Sequence, residues 1–194
     1  MDRLSPLALL APLLLAACGQ ATTTAPPPSR VDAVVAPPRG QADLDAFCEV
    51  HPDPETAPTF VWPPLDGAAP PMTGGWTWVN VWATWCGPCV EELPRISQWP
   101  EKLAAQGAPV TLRLLSADDS PGPVLGFQKS HAWAPPTLRV GEGADLPTWA
   151  GSMGLPEVLP LHLFVDPQGK LRCGRSGALS NQDQDTVRRL ISGG

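Results

Sequence analysis

The spacing of apolar and polar residues changes near residue 43, after which strand-like and helix-like segments alternate. Apolar runs rich in β-branched and aromatic residues predict strands at residues 76–82, 110–116, 137–140, 161–165 and 171–174. Amphipathic periods and helix-start signals predict helices at residues 43–50, 88–105, 124–131, 145–153 and 181–191. The order is a βαβ unit, a β-hairpin and a last helix, which predicts an α/β fold with a central mixed sheet flanked by helices.

Prolines refine this pattern at two places. Pro94 is expected to bend the long second helix, and Pro100 is expected to end or break it. Residues 51–71 are rich in proline and are predicted to be extended. Packing in that segment is expected from Phe60, Val61 and Trp62.

The chain before the domain reads as two further segments. Residues 4–17 form an apolar run that is shorter than the roughly 20 residues of a relaxed membrane span and is typical of a secretory signal. Residues 18–42 contain many Ala, Thr and Pro residues and no period, which predicts an extended tether. We therefore expect a signal segment at 1–17, a tether at 18–42 and one domain at 43–194.

Composition limits the possible partners. The chain has 194 residues, 43% of them hydrophobic, and a net charge of −6 from 13 Lys and Arg against 19 Asp and Glu. The apolar fraction supports a packed core. Since no basic stripe is present to neutralise phosphates, a nucleic-acid partner is not expected.

The candidate chemistry lies in the segment Trp85-Cys86-Gly87-Pro88-Cys89, which follows a predicted buried strand and opens a helix. A thiolate is the reactive form of cysteine, and the free N–H groups and dipole of a helix N-terminus favour an anion. We therefore expect a lowered pKa for Cys86, which would attack a substrate disulfide. Cys89 would then resolve the mixed disulfide.

Other uses of this cysteine pair fit the sequence less well. A zinc ribbon needs a second pair of cysteines or suitably spaced histidines. A covalent haem needs His directly after the second cysteine, where Val90 stands. A purely structural disulfide rarely closes so short a loop at a helix start. No metal and no other cofactor is expected.

Residues 80–94, N-V-W-A-T-W-C-G-P-C-V-E-E-L-P, resemble the active-site segment of the thioredoxin superfamily in the form found in its bacterial TlpA/ResA branch. Residues 154–171 match that branch's cis-proline loop and hairpin, and residues 110–146 resemble its extra insertion. The resemblance runs from about residue 43 to the end. It implies a thioredoxin-like fold with a TlpA/ResA-type insertion and a protein-disulfide oxidoreductase activity.

Several residue roles follow from this resemblance. Pro160 would be the cis-proline opposite the cysteine pair, leaving the backbone of Leu159 free to pair with an extended substrate. Glu92 would relay a proton from Cys89, the alternative being a solvated glutamate that complements the helix dipole. Asn80 stands where ordinary thioredoxins carry a buried Asp. Trp85, Gly87 and Pro88 would form the active-site loop, with Trp85 at its rim.

The remaining cysteines differ in their expected roles. Residues 15–19, L-A-A-C-G, resemble a bacterial lipobox, in which Cys18 would be lipidated and would anchor the chain to a membrane. The alternative is an ordinary signal that is cut elsewhere. Gly19 favours the outer membrane where a cell has two. Cys48 and Cys173 are an even remainder, which predicts a structural disulfide; two free thiols or a second redox relay are the alternatives.

These features predict an extracytoplasmic, membrane-anchored thiol–disulfide oxidoreductase. Its expected substrates are specific protein disulfides, of the kind met in cytochrome c or copper-site maturation, and its reductant is an upstream membrane electron donor. One alternative is a Cu(I) metallochaperone, although no Met cluster supports it. Another is a thiol peroxidase, which wants Thr where Ala83 stands. His51, His131 and His162 are not spaced as a metal site and are expected to be surface or hydrogen-bonded core residues.

Overall fold

The computed structural model describes residues 39–70 and 74–193. The predicted signal segment, Cys18 and most of the predicted tether lie outside these residues. The strands are β1 Trp76–Trp82, β2 Val110–Ser116, β3 Thr137–Arg139, β4 Leu161–Val165 and β5 Leu171–Ser176. The helices are α1 Arg39–Phe47, α2 Gly87–Ile96, α3 Trp99–Ala105, α4 Pro121–Ser130, α5 Leu146–Ser152 and α6 Gln184–Ser192, the last preceded by a 3₁₀ turn at Asn181–Asp183.

The five strands form one mixed sheet in the order β3-β2-β1-β4-β5. β1 pairs in parallel with β2 and β2 with β3, whereas β4 runs antiparallel to both β1 and β5. All seven residues of β1 are buried because helices cover both faces of the sheet, which explains its continuous apolar run.

The two faces of the sheet carry separate cores. On one face, Trp78 of β1 and Phe164 of β4 pack with residues of α2, α3 and α6. On the other face, Val79 and Val81 of β1 pack with α5 and with Phe60 of the extended lead-in. Since side chains alternate along a strand, Asn80 of β1 lies on the same face as Trp78, towards α2.

The predicted second helix is two helices. α2 ends at Ile96, and Pro100 lies in the first turn of α3, where a missing N–H costs nothing. A continuous helix would drive the ring of Pro100 into the carbonyl group of Ile96, so the break precedes this proline rather than following it. Pro94 is accommodated inside α2.

The lead-in from residue 48 to residue 70 has no regular element, as predicted for its part from residue 51 onward, and is held by isolated bridges, among them Val50 to Gly174. Phe60 is buried and Trp62 is half-buried. The prediction that Val61 packs is wrong, because its side chain is 68% exposed. Neighbouring side chains of an extended chain point in opposite directions, so Val61 faces away from the surface that Phe60 covers.

A disulfide joins Cys48, at the end of α1, to Cys173 of β5, with 5.4 Å between their Cα atoms. It links positions 125 residues apart in sequence. The other described boundaries differ from prediction by a few residues: α1 and α4 begin earlier, and β5 extends to Ser176. Within residues 39–70 and 74–193, we find no helix with the length and apolar character needed to cross a membrane.

Candidate active site

The cysteine pair lies where β1 leads into α2. Cys86 is the N-cap residue of α2, and its Sγ accepts a hydrogen bond from the amide of Cys89 at 3.3 Å. The two cysteines form a disulfide, with 5.3 Å between their Cα atoms. Cys89 is fully buried and Cys86 nearly so, whereas the side chain of Trp85 is 69% exposed. This places the pair at the edge of the core, directly beneath an exposed loop.

A cleft of about 580 Å³ opens beside this disulfide. Trp85, Cys86 and Pro88 border it on one side, and Val158 and Leu159 border it on the other. Leu161 and Trp149 also line it, and Asp119 and Glu157 add carboxyl groups to an otherwise apolar wall. The cleft is therefore an apolar groove with acidic residues at its border.

The peptide bond between Leu159 and Pro160 is cis. Among the described residues, neither the amide nor the carbonyl group of Leu159 takes part in a hydrogen bond. Because Leu159 lines the same cleft as Cys86, its backbone groups are available to an extended chain that enters this cleft.

The loop before Cys86 is fixed by a carboxylate that the sequence analysis missed. Asp118, buried at the end of β2, accepts hydrogen bonds from the amide of Thr84 at 3.1 Å and from its hydroxyl at 2.5 Å. It also accepts one from the hydroxyl of Ser116 at 2.7 Å. Since the carboxyl ends of adjacent parallel strands meet at one edge of a sheet, an Asp just after β2 could have signalled this contact.

Glu92 is fully buried in α2, so the alternative of a solvated first-turn glutamate does not hold. Its Oε1 accepts a hydrogen bond from Nδ2 of Asn80 at 3.0 Å. Its Oε2 accepts one from the amide of Leu179 at 2.7 Å. Cys89 and Glu92 are three residues apart and therefore neighbours on one side of the helix.

His162 of β4 is also fully buried and lies beside Glu92, a position that sequence reasoning left open. Its Nδ1 lies 3.2 Å from Nε1 of Trp78 and 3.3 Å from Nδ2 of Asn80. Its Nε2 is 3.4 Å from Oε1 of Glu92. Pairing of β1 with β4 brings Asn80 opposite His162, and no local feature of the sequence reveals that register.

Among the described residues, neither of the other two histidines is recorded in contact with the cysteine pair. Nδ1 of His51 is 2.6 Å from Oδ1 of Asp45, and the ring of His131 stacks on Phe127 with 4.1 Å between centroids. Within the part of the chain that the structure covers, no three His, Cys, Asp or Glu side chains are grouped as metal ligands.

No protein-family model matches this chain. Over 118 residues it is 28% identical to the thiol-disulfide oxidoreductase ResA of Bacillus thuringiensis subsp. konkukian. That alignment covers 59% of this chain and 64% of the relative, so it spans less than two thirds of the relative's length.

Solved structures of thioredoxin-related proteins are similar to this chain in fold. The thioredoxin-related protein from Neisseria meningitidis serogroup B superposes with a TM-score of 0.51 at 26% identity, covering 61% of this chain and 86% of that one. A thiol:disulfide interchange protein of the thioredoxin family from Chlorobium tepidum TLS superposes with a TM-score of 0.50 at 22% identity, covering 62% of this chain and 81% of that one.

The mixed sheet, the cysteine pair at the start of α2 and the cis-proline after Leu159 define a protein of the thioredoxin-like class. The predicted fold class is confirmed. Within this class the chain is similar to the thiol–disulfide oxidoreductase ResA, so the predicted resemblance to the TlpA/ResA branch is confirmed as well.

Proposed function

We propose that this protein is a thiol–disulfide oxidoreductase that reduces disulfides in protein substrates through Cys86 and Cys89. One observation carries the proposal: a disulfide at the N-terminus of a helix and the free backbone of Leu159 line the same cleft. The similarity to ResA, which is named a thiol-disulfide oxidoreductase, supports the same chemistry.

The proposed reaction starts from the reduced pair. The Cys86 thiolate, stabilised by the amide of Cys89 and by the α2 dipole, attacks one sulfur of a substrate disulfide. A bond forms between Cys86 and that sulfur, and the other substrate sulfur leaves as a thiolate that takes up a proton.

Resolution completes the transfer of two electrons. Cys89 loses its proton, and its thiolate attacks Sγ of Cys86. The Cys86–Cys89 bond forms while the bond from Cys86 to the substrate breaks, and the second substrate sulfur departs and is protonated. The substrate is thereby reduced, and the cysteine pair ends as the disulfide that the structure contains.

The cleft suggests which substrate segments fit. An extended segment could pair with the backbone of Leu159 while an apolar side chain next to its cysteine packs on Trp149 and Leu161. Asp119 and Glu157 would favour a positive charge near that site. By resemblance, proteins of cytochrome c or copper-site maturation are the proposed substrates.

We place this activity outside the cytoplasm. The lipobox-like residues 15–19 support a lipid anchor on Cys18, with residues 18–42 as its tether and the outer membrane favoured by Gly19. Because each turnover leaves the pair oxidised, an upstream membrane electron donor would have to return two electrons to it.

Reduction of insulin disulfides, with a small dithiol as the electron source, tests the proposal. Cys86→Ser should lower the rate about a hundredfold or more, because it removes the attacking sulfur. The matched control is the double variant Cys48→Ser/Cys173→Ser, which removes the other disulfide and should keep its activity wherever it remains folded. Activity that survives Cys86→Ser would overturn the mechanism.

Cys89→Ser gives a second arm to this test. It leaves the attacking thiol but removes the resolving one, so substrates should accumulate as mixed disulfides with Cys86. Proteins captured from an extracytoplasmic fraction and released by reductant would identify the substrates. Capture that is equally strong with Cys86→Ser/Cys89→Ser would show that it does not depend on the pair.

A further inference from the structure

We propose that His162 is a positioning residue for resolution by Cys89, because its Nε2 lies against the buried carboxylate of Glu92. This inference rests on the proposed function. It concerns a histidine that sequence reasoning treated as ordinary and that the fold brings beside the only acidic side chain described in contact with Asn80.

The contacts of His162 determine which ring nitrogen carries the proton. An indole N–H and an amide NH₂ group can only donate, and both Nε1 of Trp78 and Nδ2 of Asn80 face Nδ1 of His162. Nδ1 therefore presents its lone pair. The ring proton of the neutral imidazole lies on Nε2, the atom that is 3.4 Å from Oε1 of Glu92.

Burial makes this donor important. A carboxylate that is fully removed from water is unfavourable unless N–H groups point at it. Glu92 has two such groups, from Asn80 and Leu179, and Nε2 of His162 lies 3.4 Å from its Oε1. That contact lacks hydrogen-bond geometry, so among the described residues Nε2 of His162 is a buried donor without a hydrogen-bond partner. A small shift of the ring would turn this contact into a hydrogen bond.

The other charged groups near this site face elsewhere. Arg175 is opposite His162 in the β4–β5 pair, but its guanidinium group lies over the ring of Phe47 and donates to that residue's carbonyl. Arg95 of α2 donates to the carbonyl of Leu179. Glu92 is therefore the charged group that Nε2 of His162 meets, and His162 acts on Glu92 rather than on the sulfurs.

The inferred effect falls on one step of the reaction. In the mixed disulfide, the Cys89 thiol gives its proton to the Glu92 carboxylate. The resulting thiolate forms the bond to Cys86, and the substrate sulfur leaves with the electron pair of the broken bond and is protonated. His162 keeps its own proton throughout, and its role is to orient Oε1 of Glu92 as the acceptor of the Cys89 proton.

The test separates attack from resolution. Attack is followed as alkylation of Cys86 in a Cys89→Ser background, and resolution as release of a chromogenic thiol from a mixed disulfide on Cys86 in the intact pair. His162→Leu should slow resolution about tenfold and displace its pH profile to higher pH, because proton removal would depend more on hydroxide. It should leave attack within about twofold of wild type.

His162→Gln is the matched variant. Its side chain can accept from Trp78 and donate to Glu92, so resolution should recover to within about threefold of wild type. The ¹⁵N spectrum of wild-type His162 near neutral pH should show the Nε2–H tautomer. If His162→Leu does not fold, His162→Asn, which is polar but too short to reach Glu92, replaces it and should resolve slowly.

Three results would overturn the inference: unchanged resolution in His162→Leu or His162→Asn, equal slowing of attack and resolution, or a His162→Gln variant as slow as Leu. Failure of the proposed function looks different. In that case the wild-type protein itself would form no mixed disulfide that Cys89 resolves.

Discussion

The described residues contain two disulfides that are nearly equally buried and differ in almost everything else. Cys48–Cys173 joins the end of α1 to β5 across 125 residues of sequence, and Cys86–Cys89 joins residues that are only three apart at the start of α2. Cys48 and Cys86 are each 6% exposed, and Cys89 and Cys173 are each fully buried. Burial alone therefore does not distinguish a structural disulfide from a reactive one.

The two disulfides differ in the surroundings of their cysteines. Cys86 lies beside a cleft, at a helix N-terminus, under a loop whose Trp85 is exposed. Cys173 lies within a sheet, where Gly174 next to it pairs with the backbone of Val50. In the proposed function, a disulfide serves chemistry where a substrate sulfur can approach, and it serves stability where the backbone on both sides is already paired.

The largest expected contrast is in stability. A bond that closes 125 residues should stabilise the fold by about 4–5 kcal/mol through the entropy of the unfolded chain, whereas one that closes three should give about 1–2 kcal/mol. Cys48→Ala/Cys173→Ala should therefore lose much more of its free energy of unfolding than Cys86→Ala/Cys89→Ala. Guanidinium unfolding without reductant measures both.

Each double variant controls for the other, since each removes two sulfurs and one bond. Equal losses would contradict the division into a structural and a reactive disulfide. A Cys48→Ala/Cys173→Ala protein that is folded but inactive would also contradict it, because the cleft would then depend on the distant bond.

A smaller effect is expected at Gly174, on the structural side of the comparison. A Cβ atom there would lie 2.7 Å from both terminal methyl carbons of Leu155, which is buried. Gly174→Ala should therefore cost about 1–3 kcal/mol of unfolding free energy through overpacking, with insulin reduction unchanged. The measurement is again guanidinium unfolding.

Gly126→Ala on α4 is the matched control for that change. Nothing lies within 4 Å of a Cβ atom at Gly126, so the variant should be neutral or stabilised by up to about 1 kcal/mol through helix propensity. Equal effects at the two glycines would show that Leu155 moves aside without cost.

The smallest effect is expected at Asp145, which caps α5 on the cleft side. Hydrogen bonds from the hydroxyl and then the amide of Thr148 lower the pKa of Asp145. A carboxyl group whose pKa is lower in the folded than in the unfolded protein stabilises the fold at any pH above its unfolded-state pKa. That contribution is lost as the pH falls through its folded-state pKa. Asp145→Ala should thus lower Tm slightly at neutral pH, and this difference in Tm between variant and wild type should disappear in acid.

Thermal scans from neutral pH to about pH 3 measure this difference in Tm. Glu142→Ala, an exposed acidic residue just before α5, is the control and should give a curve parallel to wild type. A difference that persists or widens in acid would show that Asp145 stabilises α5 by something other than its charged cap.

Most of the fold could be predicted because its signals are local. The limits of β1, β2 and β4 follow from their apolar runs, and the structure gives the predicted limits for all three. The predicted break of the long helix at Pro100 is confirmed, whereas the prediction that Val61 packs is wrong, because its exposure depends on how the lead-in fits against the sheet.

Prediction of the site around the cysteine pair has the same limit: local features are visible in the sequence, and contacts between distant segments are not. The pair's spacing and its place before a helix are visible in the sequence, as is Glu92 three residues later. The burial of Glu92 is not, because it depends on Asn80 and Leu179, which come from distant parts of the chain. Asp118 and His162 were likewise missed or left open, since each contacts its partner only through strand pairing.

By itself, the sequence determined most of the elements, the place of the cysteine pair proposed to react and which of its members opens a helix, since these depend on neighbours within a few residues. Only the tertiary structure decided that Cys48 meets Cys173, that Leu159 faces Cys86 across a cleft, and that His162 lies against Glu92. The physical reason is that such contacts depend on the register in which the strands pair. A shift of one residue in β4 would turn His162 to the opposite face of the sheet, and the packing of the whole core is what holds that register.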